Sequence, residues 1–129
     1  KRVFAVDTDS LAVSATKENA VLNNFEEDLF VSCGSITRLH ADLQGTPADI
    51  LLCNILAPVI EALAPQFEAI LTKEGHAFLS GMLVEQVERL KSCFEELDWN
   101  VLSIERQGSW ALMEISRQKR SHKISPDNK

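Results

Sequence analysis

The sequence predicts a three-layer α/β domain on a mostly parallel sheet that ends in an antiparallel hairpin. Three observations carry that expectation. Short apolar runs closed by polar residues alternate with stretches of helical periodicity, the order that produces crossovers onto a parallel sheet. The first of these runs is apolar throughout, as a strand covered on both faces is. Near the end, two β-rich runs flank Gln107, Gly108 and Ser109, which read as a tight turn.

The first strand is Val3 to Val6, ended by Asp7. Asp9 or Ser10 can cap the helix that follows, where Leu11, Ala15 and Leu22 repeat at helical spacing up to Asn24. Leu29 to Cys33 reads as the second strand, closed by Gly34 and Ser35, and the polar stretch from Thr37 to Ala48 reads as a loop. Ile50 to Cys53 is the third strand. From Pro58, a helical repeat of Ile60, Leu63, Phe67 and Ile70 is expected to split at Pro65, which removes a backbone donor, and to stop at Lys73, Glu74 and Gly75. His76 to Leu79 makes a fourth strand, and Gly81 precedes a helix with Val87, Leu90, Phe94 and Leu97 on one stripe. Val101 to Ile104 and Trp110 to Ile115 form the hairpin. The domain is therefore placed at residues 1–116. Residues 117–129 are expected to be a disordered basic tail, with Arg117, Lys119, Arg120, Lys123 and Lys129 facing Asp127 alone.

Composition narrows the function classes. A chain of 129 residues that is 45% hydrophobic and 25% charged can bury one core. Its net charge of -6 argues against direct nucleic-acid binding, which needs a concentrated basic face. No apolar run is long enough to span a bilayer and no leader pattern is visible, so a cytoplasmic monomer without membrane contact is expected. Cys33, Cys53 and Cys93 lack paired spacing and read as buried thiols. His40, His76 and His122 lack ligand spacing, so no metal site is expected.

In open α/β sheets, ligands bind at the carboxyl ends of the strands. The residues there are Asp7, Thr8, Gly34, Ser35, Asn54, Ile55, Ser80 and Gly81. Asp7 is placed to accept hydrogen bonds from both hydroxyls of a ribose, although a turn or cap explains it equally well. Asn54 carries an amide that can donate and accept, and Asn is also a common helix cap. Gly34 and Ser35 fit either an adenine edge or a turn, and Gly81 either a turn or a close approach to a ligand. Trp110 reads as an apolar plug beside the hairpin turn. Ser80 has no base partner, which leaves a nucleophilic serine unsupported.

Several segments together resemble the ribosomal protein L-eleven methyltransferase family. They are Val-Phe-Ala-Val-Asp-Thr-Asp at 3 to 9, Glu-Asn-Ala and Leu-Asn within 18 to 23, Asn-Ile-Leu-Ala at 54 to 57, Leu-Ser-Gly-Met-Leu at 79 to 83 and Gly-Ser-Trp at 108 to 110. The likeness runs from Val3 to about Ile115. It implies a Rossmann-like class I methyltransferase domain that takes S-adenosylmethionine as methyl donor and modifies lysine and α-amino groups of a large-subunit ribosomal protein. By the same resemblance, Asp7 would hold the ribose diol of the cofactor and Asn54 would contact it as the catalytic residue beside the methyl group; Thr8 and Ser35, at the same strand ends, are expected as further cofactor contacts. The family's first strand and glycine-rich loop would precede Lys1, leaving a gap between the strands that start at Val3 and Ile50. The chain by itself is accordingly expected to be inactive. Ser109 stands where the family pattern has Glu before Trp110. Two rival readings are a nicotinamide-dependent oxidoreductase, which also uses an acidic residue after its second strand, and a noncatalytic binding module.

Overall fold

The computed structural model describes residues 1–117. In chain order the elements are β1 (Val3–Asp7), α1 (Ser10–Leu22), β2 (Leu29–Cys33), α2 (Ile36–Leu43), β3 (Ala48–Asn54), α3 (Ala57–Leu63), a 3-10 turn (Ala64–Ala69), β4 (Leu71–Leu83), a second 3-10 turn (Val84–Gln86), α4 (Val87–Glu96), β5 (Asn100–Gln107) and β6 (Trp110–Ser116). They form two compact units, one of Lys1–Ala48 with Gln66–Ile70, the other of Asp49–Pro65 with the chain from Leu71 onward.

In the first unit β1 and β2 pair in parallel, from Val3 opposite Leu29 to Asp7 opposite Cys33. The facing Phe4 and Phe30 rings stack with centroids 5.1 Å apart, a cross-strand aromatic contact that helps hold the register. Helices α1 and α2 both pack against this pair. Asp9 caps α1, its carboxylate accepting from the amide of Leu11 at 2.9 Å. The face that α1 buries carries Val13 and Ala20, whereas Leu11 and Leu22, expected on the inner stripe, are 77% and 79% exposed. The helix is apolar on more than one side, so periodicity admits two faces; the smaller side chains let its axis come closer to the strands.

The expected loop from Thr37 to Ala48 is corrected by α2. Ile36 and Leu43, seven residues and two turns apart, bury one face of this helix. On the outer side Arg38 pairs with Asp42 at 3.0 Å. The loop proper is only residues 44–47, opened by Gln44 in the left-handed conformation. The polar residues that suggested a loop are the solvated face of an amphipathic helix.

The second unit holds a sheet in the order β3-β4-β6-β5, so β1 and β3 belong to different sheets. Strand β6 runs antiparallel to both β4 and β5, and the two-residue turn at Gly108 and Ser109 joins β5 to β6 with Gln107 opposite Trp110. The hairpin is thus where the sequence put it, with its third partner added. Pro65 does end α3, giving way to a 3-10 turn. Lys73–Gly75, expected as a helix stop, lies instead inside the thirteen-residue β4. Leu71, Gly75, Ala77 and Leu79 are buried on one side of this strand, a period-two pattern that the polar pair Lys73 and Glu74 masks. Helix α4 buries Val87, Leu90 and Phe94 as expected, and Trp99 meets Phe94 edge to face with centroids 6.3 Å apart. Leu97 departs from that stripe: it ends the helix as its C-cap and is 39% exposed.

Of the tail, Arg117 is described, and its Nη1 donates to the carbonyl of Leu71 at 3.1 Å. The expected disorder of the remainder, residues 118–129, lies outside the described residues. Among the described residues, no helix is long and apolar enough to cross a membrane.

Candidate functional site

The carboxyl end of the β1 and β2 pair gathers three of the four residues singled out by the sequence. The amide of Gly34 donates to the carbonyl of Asp7 at 2.9 Å, carrying the parallel ladder one step past the strands. The thiol of Cys33 approaches the carbonyl of Thr8 at 3.7 Å. Asp7, Thr8 and Ser35 therefore share one end of one small sheet. Asp7 is exposed, and its Oδ1 accepts from the amide of Asp9 at 2.9 Å. This Asx-type turn fixes the carboxylate's direction and leaves Oδ2 to solvent. Asp9 does the capping, so the two carboxylates have separate tasks. Ser35 precedes α2 as its N-cap residue, yet its hydroxyl makes no capping bond. It too is uncommitted.

Asn54 belongs to the second unit and ends β3. It is exposed, and it is not a helix cap: the N-cap of α3 is Leu56, two residues later and without any side-chain cap bond, and Pro58 lies in the first turn. A proline there needs no donor, which lets the helix begin without a polar cap. The Asn54 carboxamide is left facing Gly81 of β4, where a Cβ on Gly81 would meet Oδ1 of Asn54 at 3.0 Å and the carbonyl oxygen of Ile55 at 2.4 Å. Gly81 is not a turn residue, as the sequence had allowed; it sits within β4. Ile55 is among the strand-end residues the sequence pointed to, but the approach of its backbone carbonyl to Gly81 was not read there. Its signal was present in the glycine two residues beyond the buried Leu79.

A family model described as ribosomal protein L11 methyltransferase (PrmA) matches residues 1–118. The chain belongs to that family. A ribosomal protein L11 methyltransferase of Parasynechococcus marenigrum (strain WH8102) is 55% identical to it over 117 residues, which are 90% of this chain and 40% of the relative. One from Prochlorococcus marinus (strain MIT 9303) is 50% identical over 119 residues, again 40% of its length. This chain thus spans about two fifths of the curated relatives it matches. The crystal structure of ribosomal protein L11 methylase from Lactobacillus delbrueckii subsp. bulgaricus superposes with a TM-score of 0.83 at 29% identity, covering 92% of this chain and 59% of that one. The fold is accordingly the Rossmann-like fold of class I methyltransferases.

In this family member the remaining candidates part from expectation. Trp110 is 56% exposed and is no apolar plug. It lies directly after the hairpin turn, at the edge of β6's pairing with Leu83 of β4, where its ring has no core to enter. None of the three cysteines is fully buried: Cys33 is exposed, and Cys53 and Cys93 are half-buried. His76 pairs through Nδ1 with Glu114 at 2.9 Å, and Glu114 also accepts from Ser103 at 3.3 Å. That makes a polar ladder across β4, β6 and β5.

Burial pushes the Cys53 thiol from 9.0 up to about 11. Alkylation with iodoacetamide at about pH 8 should therefore modify exposed Cys33 first, with Cys53 lagging and its rate still climbing towards pH 11, because only the thiolate attacks. The unfolded chain releases the same proton near 9.0 and the folded chain near 11, so stability declines as pH rises through that window. Peptide mapping by mass spectrometry reads the rates, and equal modification of both thiols at the lower pH would contradict the assignment.

Proposed function

We propose that this chain supplies the catalytic part of a protein methyltransferase that carries methyl groups from S-adenosylmethionine to lysine and α-amino groups of a large-subunit ribosomal protein. The observation that carries this reading is the position of Asn54, which ends β3 with an exposed carboxamide that no helix start uses. Family membership supplies the reaction class, and the Asn54 geometry supplies a residue suited to it.

The residues present fit the cofactor's sugar. Asp7 has a carboxylate already aimed by the Asp9 amide, with lone pairs left for two ribose hydroxyls. Thr8 and the unbonded hydroxyl of Ser35 stand at the same sheet end, where they would flank the nucleoside. The cofactor, when bound, supplies an activated methyl group on a positively charged sulfur. Asn54 has the complementary task. Its Oδ1 accepts an N–H of the incoming neutral amine, which turns the amine's lone pair to the side opposite the hydrogen bond. Positioning of this kind lowers the barrier without any nucleophile from the protein.

The same reading makes the protein a cytoplasmic monomer whose partner is a protein. The net charge of -6 supports the expectation that it does not hold nucleic acid directly. The test extends this chain to the full length of its relatives. The extended protein is incubated with S-adenosylmethionine and ribosomal protein L11, and mass increments of whole methyl groups on lysine or the amino terminus are the expected result. Saturable binding of NAD, without binding of S-adenosylhomocysteine, would overturn the proposal in favour of an oxidoreductase.

A further inference from the structure

We propose that Gly81 is a positioning residue whose bulge in β4 sets where the Asn54 carboxamide and the Ile55 carbonyl stand. Two observations meet at this point. The pairing of β4 with β6 slips between Leu79 and Met82, so Ser80 and Gly81 form a bulge in an otherwise regular ladder. Within it Gly81 takes φ +86, a conformation that side chains disfavour. Independently, the Cβ that any other residue would bring lies 2.4 Å from the Ile55 oxygen, 2.9 Å from the Ile55 carbonyl carbon and 3.0 Å from Oδ1 of Asn54. Two of those atoms are backbone, which cannot swing aside as the end of a long side chain can.

The strain has one direction in which to be relieved. On β4, Leu79 and Met82 flank the bulge and are completely buried. They pin the strand in the core, so β4 cannot retreat without opening a void. On the other side Ala57 and Ile60 anchor α3 in the same core, but residues 55–56, which follow Asn54 at the end of β3, belong to no element. A side chain at position 81 would therefore push that short link, and Asn54 with it. The missing side chain keeps two acceptor oxygens close to one glycine; lengthening it moves the acceptor that aligns the amine.

This inference rests on the reading of Asn54 as the acceptor-aligning residue, and the experiment separates the two. In the protein extended to the length of its relatives, Gly81→Ala, Asn54→Ala, the double variant and Gly108→Ala are compared by steady-state kinetics. Gly108 has φ +58 and nothing within 4 Å of an added Cβ, so it measures the cost of the backbone conformation alone. The expected result is a fall in kcat of about 10-fold or more for Gly81→Ala, with the KM for S-adenosylmethionine nearly unchanged and Gly108→Ala close to normal. In the Asn54→Ala background the Gly81 substitution should add less than about 2-fold, since both changes remove one alignment. Effects that multiply would overturn the inference while leaving the role of Asn54 standing. Normal turnover by Asn54→Ala alone would overturn the reading of Asn54, and the catalytic consequence of Gly81 with it. Should Gly81→Ala fail to fold, the unsubstituted protein decides by nuclear Overhauser contacts between the Gly81 α-protons and the Asn54 side-chain amide: their presence supports the approach, and their absence overturns it.

Discussion

Asn54→Ala in the extended protein should lower methyl transfer on the order of 10- to 1000-fold while leaving the melting temperature nearly unchanged, the loss expected when a positioning hydrogen bond is removed. The stability half of that expectation follows from the start of α3. A capping Asn would cost about 1 kcal/mol of stability when replaced by Ala, and Asp would serve in its place. Here Leu56 occupies the N-cap position with no side-chain bond, and Asn54 lies outside the helix. Asn54→Asp sharpens the test. A carboxylate beside the substrate amine favours its protonated form and raises the lysine pKa, so less neutral amine is present at a given pH and residual activity shifts towards higher pH. Melting curves and pH-rate profiles of the two variants are the measurements. Turnover of Asn54→Ala within about 2-fold of normal, where a positioning role requires far more, would remove it from the site.

Asp7→Ala should weaken cofactor binding by roughly 1.5–3 kcal/mol, the cost of losing a charged acceptor for hydroxyl donors. That corresponds to about 10- to 150-fold in Kd. Asp9→Ala provides the comparison, because it removes the α1 cap bond to Leu11 but keeps the backbone amide from which Asp7 accepts. It should cost roughly 0.5–2 kcal/mol of stability and leave cofactor affinity almost intact. Calorimetry with S-adenosylhomocysteine and thermal melting resolve the pair. If Asp9→Ala weakens binding and Asp7→Ala does not, the carboxylates have been assigned in the wrong order.

The two carboxylates show how far local sequence reaches. An Asp one residue before a helical repeat has a short-range reason to cap it, and Asp9 does so. Asp7, two residues earlier, ends an apolar strand, and its bond to the Asp9 amide spans only that distance. Both roles rest on neighbours in the chain. Asn54 is different. Nothing adjacent to it distinguishes a cap from an exposed amide, and that question turned on where α3 begins. Gly81 is further still from local reading, since its neighbours in sequence do not include Ile55, 26 positions away, whose carbonyl it faces.

Helix faces divide in the same way. The existence of α1 and α4 was legible because each has a capped or punctuated apolar repeat, and α4 carries a single stripe that leaves one choice of inner face. In α1 apolar residues surround the axis, and the approach of β1 and β2 selected Val13 and Ala20 over Leu11 and Leu22. α2 was concealed because an eight-residue helix offers barely two turns of pattern, and its polar face resembles a loop. β4 was concealed where Lys73 and Glu74 interrupt its apolar pattern, although the strand continues through them.

By itself, then, the sequence determined the strand-helix alternation apart from α2, the hairpin around Gly108, a cap at Asp9 or Ser10 and the family, because each depends on neighbouring residues or on an ordered set of short segments. Tertiary structure alone decided which face of α1 is buried, how far β4 extends, that Trp110 is left exposed, and that Gly81 meets the Asn54–Ile55 link. Those outcomes depend on which distant backbone arrives to cover a surface. A backbone carbonyl held against a glycine Cα leaves no mark on the residues beside either one.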